Sequence, residues 1–301
     1  MSGPRDRRET PAETLTYWGY RAVQRLAGAL PEPVGRALFI VGGRVAFRIA
    51  GERRRNVIAN LARILGRDPQ DALVRATAVE AFELYARYWF DAFRVPTLSP
   101  AEVDARMDGA GLDEIDRALE RGRGCVVVLG HLGNPDVAAS WAARQGYPIT
   151  AVAERLRPER LFDLFRRQRE GYGLTILGTG DPTLKQRLAD HLRGNGVVAL
   201  AADRDLSGRG IPIEMFGATR TLPTGPATLA LANDAPLHFF AISTTDRGWR
   251  GRVGPALEIA RSGDLRTDVR ALTERLAREF ERAIAANPAD WHVLQPGWPA
   301  A

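Results

Sequence analysis

The stretch Val126-Val127-Val128-Leu129-Gly130-His131-Leu132-Gly133-Asn134-Pro135-Asp136 decides how the fold is read. An apolar, valine-rich run closed by a glycine has the character of a short buried strand. Asn134 and Pro135 make a good N-cap and first-turn pair, so a helix is expected to start there. His131 then lies in the turn leaving the strand's C-terminal end, where open α/β sheets hold their ligands.

Thr150–Val152, Thr175–Leu177, Val197–Ala201 and Phe239–Ile242 resemble the Cys125–Leu129 run. Helical patterns fall between them, near Asp136–Gln145, Pro158–Tyr172, Pro182–Arg193 and Pro226–Asn233, and Asp268–Ala286 is a last amphipathic helix. Such alternation predicts an α/β fold with a mostly parallel central sheet flanked by helices. Ahead of it, Thr14–Leu65 reads as two or three helices, with Val34–Ile49 and Glu52–Leu65 as the later ones, and Asp71–Phe93 is a longer aromatic-rich helix. The expected organisation is one domain over 14–298, with a helical N-terminal part at 14–66, an α/β part at 122–298 and a disordered tail at 1–13.

The formal net charge of +6 and pI near 10.0 point to an anionic partner. Lys185 is the sole lysine, so the other basic residues are planar Arg donors suited to phosphate. Cys125 is alone, which excludes an intrachain disulfide and a Cys-based zinc site. No apolar run reaches the length of a bilayer span. The first residues lack a signal-peptide core. Apolar helices carrying Arg in 14–66 have two readings: a cap whose apolar side packs on the core, or an interfacial anchor.

Chemistry is expected at His131. Continuous helix from 131 to 136 would set the two side chains about 140° apart, but the turn before Pro135 lets the chain fold back. A carboxylate, Asp136 or Asp203, is therefore expected within hydrogen-bond reach, fixing the imidazole tautomer and leaving the other ring nitrogen free to take a proton. A second polar island, Ala202-Asp203-Arg204-Asp205-Leu206-Ser207-Gly208-Arg209, follows the next central strand and offers Arg204 and Arg209 to a phosphate. Beyond it, Phe216-Gly217 leads through Arg220 to a helix start at Pro223-Thr224-Gly225-Pro226, whose free N–H groups can hold an anion.

Together these pieces resemble a family. A strand followed by GHLGN-x-D, then ADRDLSGRGI, then FG-x-TRTLPTGPATLA is similar to the bacterial lipid acyltransferases that include the lipid A late acyltransferases, and among them to the phosphatidylinositol mannoside acyltransferases of high-GC Gram-positive bacteria. Arg54–Gly66, Val152–Arg169 and the tail Asp290–Trp298 extend the match over nearly the whole chain. The resemblance implies a membrane-associated acyltransferase on the cytoplasmic side, peripheral, with acyl-CoA as co-substrate and no resident cofactor or metal. Its acceptor would be a mannose hydroxyl of an anionic glycolipid, a phosphatidylinositol mannoside, or alternatively a glucosamine-based lipid. It implies His131 as catalytic base, Asp136 as its paired Asp and Asp203 as the later supporting acid. Glu154 and Arg169 fall on matched positions, and with Arg204, Arg209 and Arg220 they make the expected binding set, its division between acyl donor and acceptor left open. Pro135 stands where relatives commonly carry a bulky aromatic.

Other classes lack their residues. No serine lies in a G-x-S-x-G elbow; His191, His238 and His292 are scattered without H-E-x-x-H and read as structural or surface histidines. Nucleic-acid binding would rest on net charge alone. A non-catalytic membrane-surface binding protein is the competing class, and it would tolerate loss of His131.

Overall fold

The computed structural model describes residues 9–206 and 208–299. Three helices open the chain: α1 (Pro11–Ala29), α2 (Glu32–Ile49) and α3 (Gly51–Leu65). Helix α1 starts before the expected Thr14, because Thr10 and Glu13 form a reciprocal capping box. Of the expected tail, residues 1–8 lie outside the described residues, while Thr10–Glu13 is ordered by that cap. The Arg54 guanidinium, awkwardly placed at the positive start of α3, reaches back to the carbonyls of Phe47 and Arg48 (3.5 and 3.2 Å). It thereby serves the electron-rich C-terminus of α2 instead.

Helix α4 (Ala72–Arg94) carries the aromatic stripe and packs along α2. A Cβ at Gly43 would lie 2.5 Å from the Phe82 carbonyl oxygen, so glycine is what lets the two helices approach. After it come α5 (Pro100–Asp104), β1 (Met107–Ala110), α6 (Leu112–Glu120), β2 (Cys125–Leu129), α7 (Pro135–Arg144), β3 (Ile149–Ala153), α8 (Glu159–Glu170), β4 (Thr175–Gly178), α9 (Leu184–Arg193) and β5 (Val197–Ala201). The chain continues with β6 (Ile211–Met215), β7 (Ala218–Leu222), α10 (Gly225–Ala232), β8 (Leu237–Thr244), β9 (Trp249–Ala256) and α11 (Leu265–Ala286).

Among the described residues the main sheet has seven strands, in the order β1-β9-β8-β2-β5-β3-β4. Every neighbouring pair is parallel except β8 with β9. The expected mostly parallel sheet is present, and all five expected strands lie in it. Strands β1 and β9 and the β6–β7 hairpin go beyond the sequence reading. Their Gly-, Arg- and Thr-rich stretches do not look like buried strands, because each has a solvent-facing side or edge. The core forms two layers. One side holds Leu188, Leu192, Leu276, Phe280 and Ile284 from α9 and α11; the other holds Ile115, Val137, Ala138 and Trp141 from α6 and α7. Between them β2 is buried on both faces, with Cys125, Val126 and Val128 fully enclosed. That double burial explains its unbroken apolar run.

Candidate active site

Sheet register sets the geometry at the C-terminal edge. Strands β2 and β5 pair with Leu129 opposite Ala201. His131 and Asp203 each lie two residues past that pair, and the Ala202 N–H still donates to the Leu129 carbonyl. The dyad is thus a continuation of the parallel ladder into the two loops. His131 Nδ1 lies 2.6 Å from Asp203 Oδ1, and the His131 backbone N–H donates to Oδ2 at 3.1 Å. Asp203 is fully buried, whereas the His131 side chain is 36% exposed. The loop's second glycine is required: Gly133 has φ +54°, and a Cβ there would press on the Ile242 backbone at 3.0 Å.

Burial pulls the His131 imidazole towards its neutral form, but the Asp203 charge and hydrogen bond outweigh it, and the pKa is raised above 6.5. Burial likewise disfavours the Asp203 carboxylate, yet the facing His131 and several N–H donors hold its pKa well below the usual carboxylate range. A carboxylate at Nδ1 keeps the ring's proton there and leaves Nε2 as the acceptor. Nε2 makes no hydrogen bond among the described residues, and His131 lines a cavity of about 1060 Å³.

Asp136 does not join this pair. It sits in the first turn of α7 and receives Arg169 of α8 at 2.6 and 3.2 Å, with the Tyr88 hydroxyl donating at 3.3 Å. The expected His131–Asp136 pairing is therefore corrected. Asn134 caps α7 through the Val137 N–H, so Asp136 enters a regular first turn facing α4 and α8 rather than folding back on the imidazole. Burial would lower the Arg169 pKa, but the Asp136 charge overrides it and raises it further. Asp136, Arg169 and Tyr88 are a half-buried brace tying three helices together beside the site.

Glu154, Arg204 and Arg209 line the cavity, and Arg169 lines it while committed to Asp136. Arg220 does not. It lies on the inward face of β7, 5% exposed, and donates to the Asp203 backbone carbonyl at 2.6 Å. Alternation along the strand turned it into the core, beneath the dyad, where a phosphate has no access. Lys185 and the start of α10, at Thr224, Gly225 and Pro226, complete the polar rim; α10 has no side-chain cap. Much of the remaining wall is apolar, including Leu129, Ala139, Ala151, Phe165, Ile176 and Leu229. A second, smaller cavity of about 80 Å³ shares Leu129, Pro135, Ala139 and Ala199 with the first and continues to Trp141, Tyr147 and Phe240. Pro135 is part of that shared wall.

Sequence reasoning passed over Tyr88, Lys185 and Trp291. The indole N–H of Trp291 donates to Asp203 Oδ2 at 2.9 Å. His292, expected to be a structural or surface residue, has a buried side chain and donates its backbone N–H to the His131 carbonyl at 2.7 Å.

A strand-end His–Asp dyad with no protein nucleophile bonded to it among the described residues, opening on a large apolar cavity with a basic rim, suits transfer of an acyl group to a hydroxyl. The sequence profile of the bacterial lipid A biosynthesis acyltransferases matches residues 4–299. The chain belongs to this family. As an acyltransferase it is 39% identical over 299 residues to the phosphatidylinositol mannoside acyltransferase of Mycobacterium tuberculosis (strain ATCC 25618 / H37Rv), a match covering 98% of this chain and 92% of the relative. The protein of the same name from Mycolicibacterium smegmatis (strain ATCC 700084 / mc(2)155) is 38% identical over 289 residues, covering 94% and 91%. Among the described residues of this acyltransferase, no helix is long and apolar enough to cross a membrane.

Proposed function

We propose that this acyltransferase moves a fatty acyl chain from acyl-CoA to a mannose hydroxyl of a phosphatidylinositol mannoside, with His131 as general base. The observation that carries this is the His131–Asp203 dyad at the mouth of the apolar cavity, with Nε2 unengaged. The names of the mycobacterial relatives support the acceptor class.

In this mechanism the sugar hydroxyl oxygen attacks the thioester carbonyl while its proton passes to His131 Nε2. Asp203 stabilises the imidazolium through Nδ1. The electron pair pushed onto the carbonyl oxygen needs cationic or N–H donors, a contribution usually worth several kcal/mol. Arg204 lines the same cavity as His131 and is the cation we assign to that charge. Collapse of the tetrahedral centre breaks the carbon–sulfur bond, and the imidazolium proton goes to the departing thiolate. Glu154, Arg204, Arg209 and Lys185 form the polar rim, and with the uncapped start of α10 the three cations offer donors to the phosphates of CoA. The acyl chain occupies the apolar wall and reaches towards the second cavity past Pro135 and Ala139.

The site is presented peripherally to the cytoplasmic membrane surface by the N-terminal helices. Val34, Leu38, Val41, Val45 and Ile49 recur at helical spacing on α2 and are 47–77% exposed, while Gly43 meets α4 from the other side. Leu15, Trp18 and Leu26 of α1 are exposed as well. A helix apolar on the side away from its core contact fits the lipid boundary. Incubation of the purified protein with labelled acyl-CoA and a panel of glycolipids tests the function: labelled product from phosphatidylinositol mannoside supports it, and labelling only of glucosamine-based lipids refutes the acceptor.

A further inference from the structure

After α11 the chain makes a short turn at Pro288–Asp290 and then runs extended along the catalytic loop. Trp291 forms an antiparallel bridge with Leu132. On either side the backbone closes further bonds, from the Gly133 N–H to the Asp290 carbonyl at 3.2 Å and from the His292 N–H to the His131 carbonyl at 2.7 Å. Helix α3 holds the next residues: Asn60 donates to the carbonyls of Val293 and Gln295 (3.3 and 2.9 Å) and accepts from the Gly297 N–H at 2.8 Å. The tail is thus pinned to the N-terminal helices on one side and to the His131 loop on the other.

Only one side chain of this tail, among the described residues, bonds to the dyad. The Trp291 indole N–H points at Asp203 Oδ2, 2.9 Å away and buried. Its ring is fixed by Arg220, whose guanidinium carbon lies 5.3 Å from the ring centroid, and by an edge contact with Trp298. A carboxylate turns softly about its last side-chain torsion. What keeps Oδ1 aimed at His131 is the pair of donors on Oδ2, the His131 backbone N–H and this indole. The His131 donor belongs to the loop itself, whereas the indole ring is also held from outside that loop, by Arg220 and Trp298.

We infer that Trp291 is a positioning residue of the acyl-transfer reaction, orienting Asp203 so that Oδ1 stays on His131 Nδ1 throughout proton transfer. This rests on the assignment of His131 as general base. Losing the indole donor removes a hydrogen bond to a charged group, which should lower kcat about tenfold with KM for acyl-CoA unchanged. It also leaves the carboxylate less satisfied, so its pull on the imidazole proton grows and the acid limb of the kcat–pH profile should move to higher pH.

The test compares Trp291→Phe with Trp298→Phe in the full-length protein. Both variants remove an indole from one cluster, but the Trp298 N–H donates to the Met215 carbonyl rather than to Asp203. The expected result is a kcat loss with a raised acid limb in Trp291→Phe, and an unmoved acid limb in Trp298→Phe. An acid limb unmoved in Trp291→Phe, or moved equally in both, overturns the inference even if both variants lose activity through lower stability. His131→Ala is run alongside. Retained turnover there would refute the general-base assignment itself, which separates that failure from a failure at Trp291.

Discussion

Asp203 Oδ1 lies 2.6 Å from His131 Nδ1 although the two residues are 72 apart in sequence, because each follows a paired position of adjacent parallel strands by the same two residues. Changing the carboxylate to an amide tests that relationship. Asp203→Asn removes the charge that raises the imidazole pKa and leaves burial pulling it down. If His131 is the general base, it must be neutral to act, so the acid limb of kcat should move to lower pH, while the maximum falls by roughly 10²–10⁴-fold for want of imidazolium stabilisation. A rate–pH profile of the purified variant checks both signs together.

Asp136 should behave differently. It is paired with Arg169 rather than with the imidazole. Asp136→Asn leaves a largely buried guanidinium without its counter-charge, a change of about 3 kcal/mol or more. We expect a clear fall in melting temperature with the acid limb unmoved. Thermal melts and pH profiles on one preparation distinguish this from a second catalytic carboxylate, which would shift the limb.

How much of this was legible in the sequence differs by residue. Strand β2 and His131 could be read because a doubly buried strand leaves an unbroken apolar run and helix α7 announces itself with Asn134-Pro135. The choice between Asp136 and Asp203 could not. It depends on β2 and β5 being neighbours, which is a property of strand order and not of any local pattern. Arg220 reads from the sequence as a binding residue because nothing local marks the inward face of β7, and Trp291 sits in an extended tail with no periodicity to mark it. Helix α2 is apolar on two sides, so periodicity alone left open whether its exposed face packed on protein or not.

That exposed face gives a prediction of its own. Replacing Leu38 and Val45 by Glu puts two charges on the outer side of α2, where both residues are about half exposed. Stability should change little, since substitutions at such sites are usually small, whereas co-sedimentation with anionic vesicles should drop severalfold. Binding by the unaltered protein should also weaken as salt rises, through screening of its Arg residues. Unchanged vesicle binding by the double variant would place the lipid contact elsewhere.

Acyl-chain length should respond to the wall between the two cavities. Ala139 lines both, so Ala139→Leu takes up space at their shared wall. We expect kcat/KM to shift in favour of shorter acyl-CoA donors, by about tenfold for the longest chains, as a few methylenes lose their burial. A series of acyl-CoA lengths measured at fixed acceptor reads this directly.

The most direct measurement is turnover of well-folded His131→Ala with acyl-CoA and phosphatidylinositol mannoside. The loop should persist, because the bonds from its backbone to Asp203 and His292 do not use the imidazole. With folding and acyl-CoA affinity near normal, turnover should fall by about 10²–10⁴-fold. Turnover close to that of the unaltered protein would contradict general-base catalysis by His131 and leave a lipid-binding role at the membrane surface as the better description.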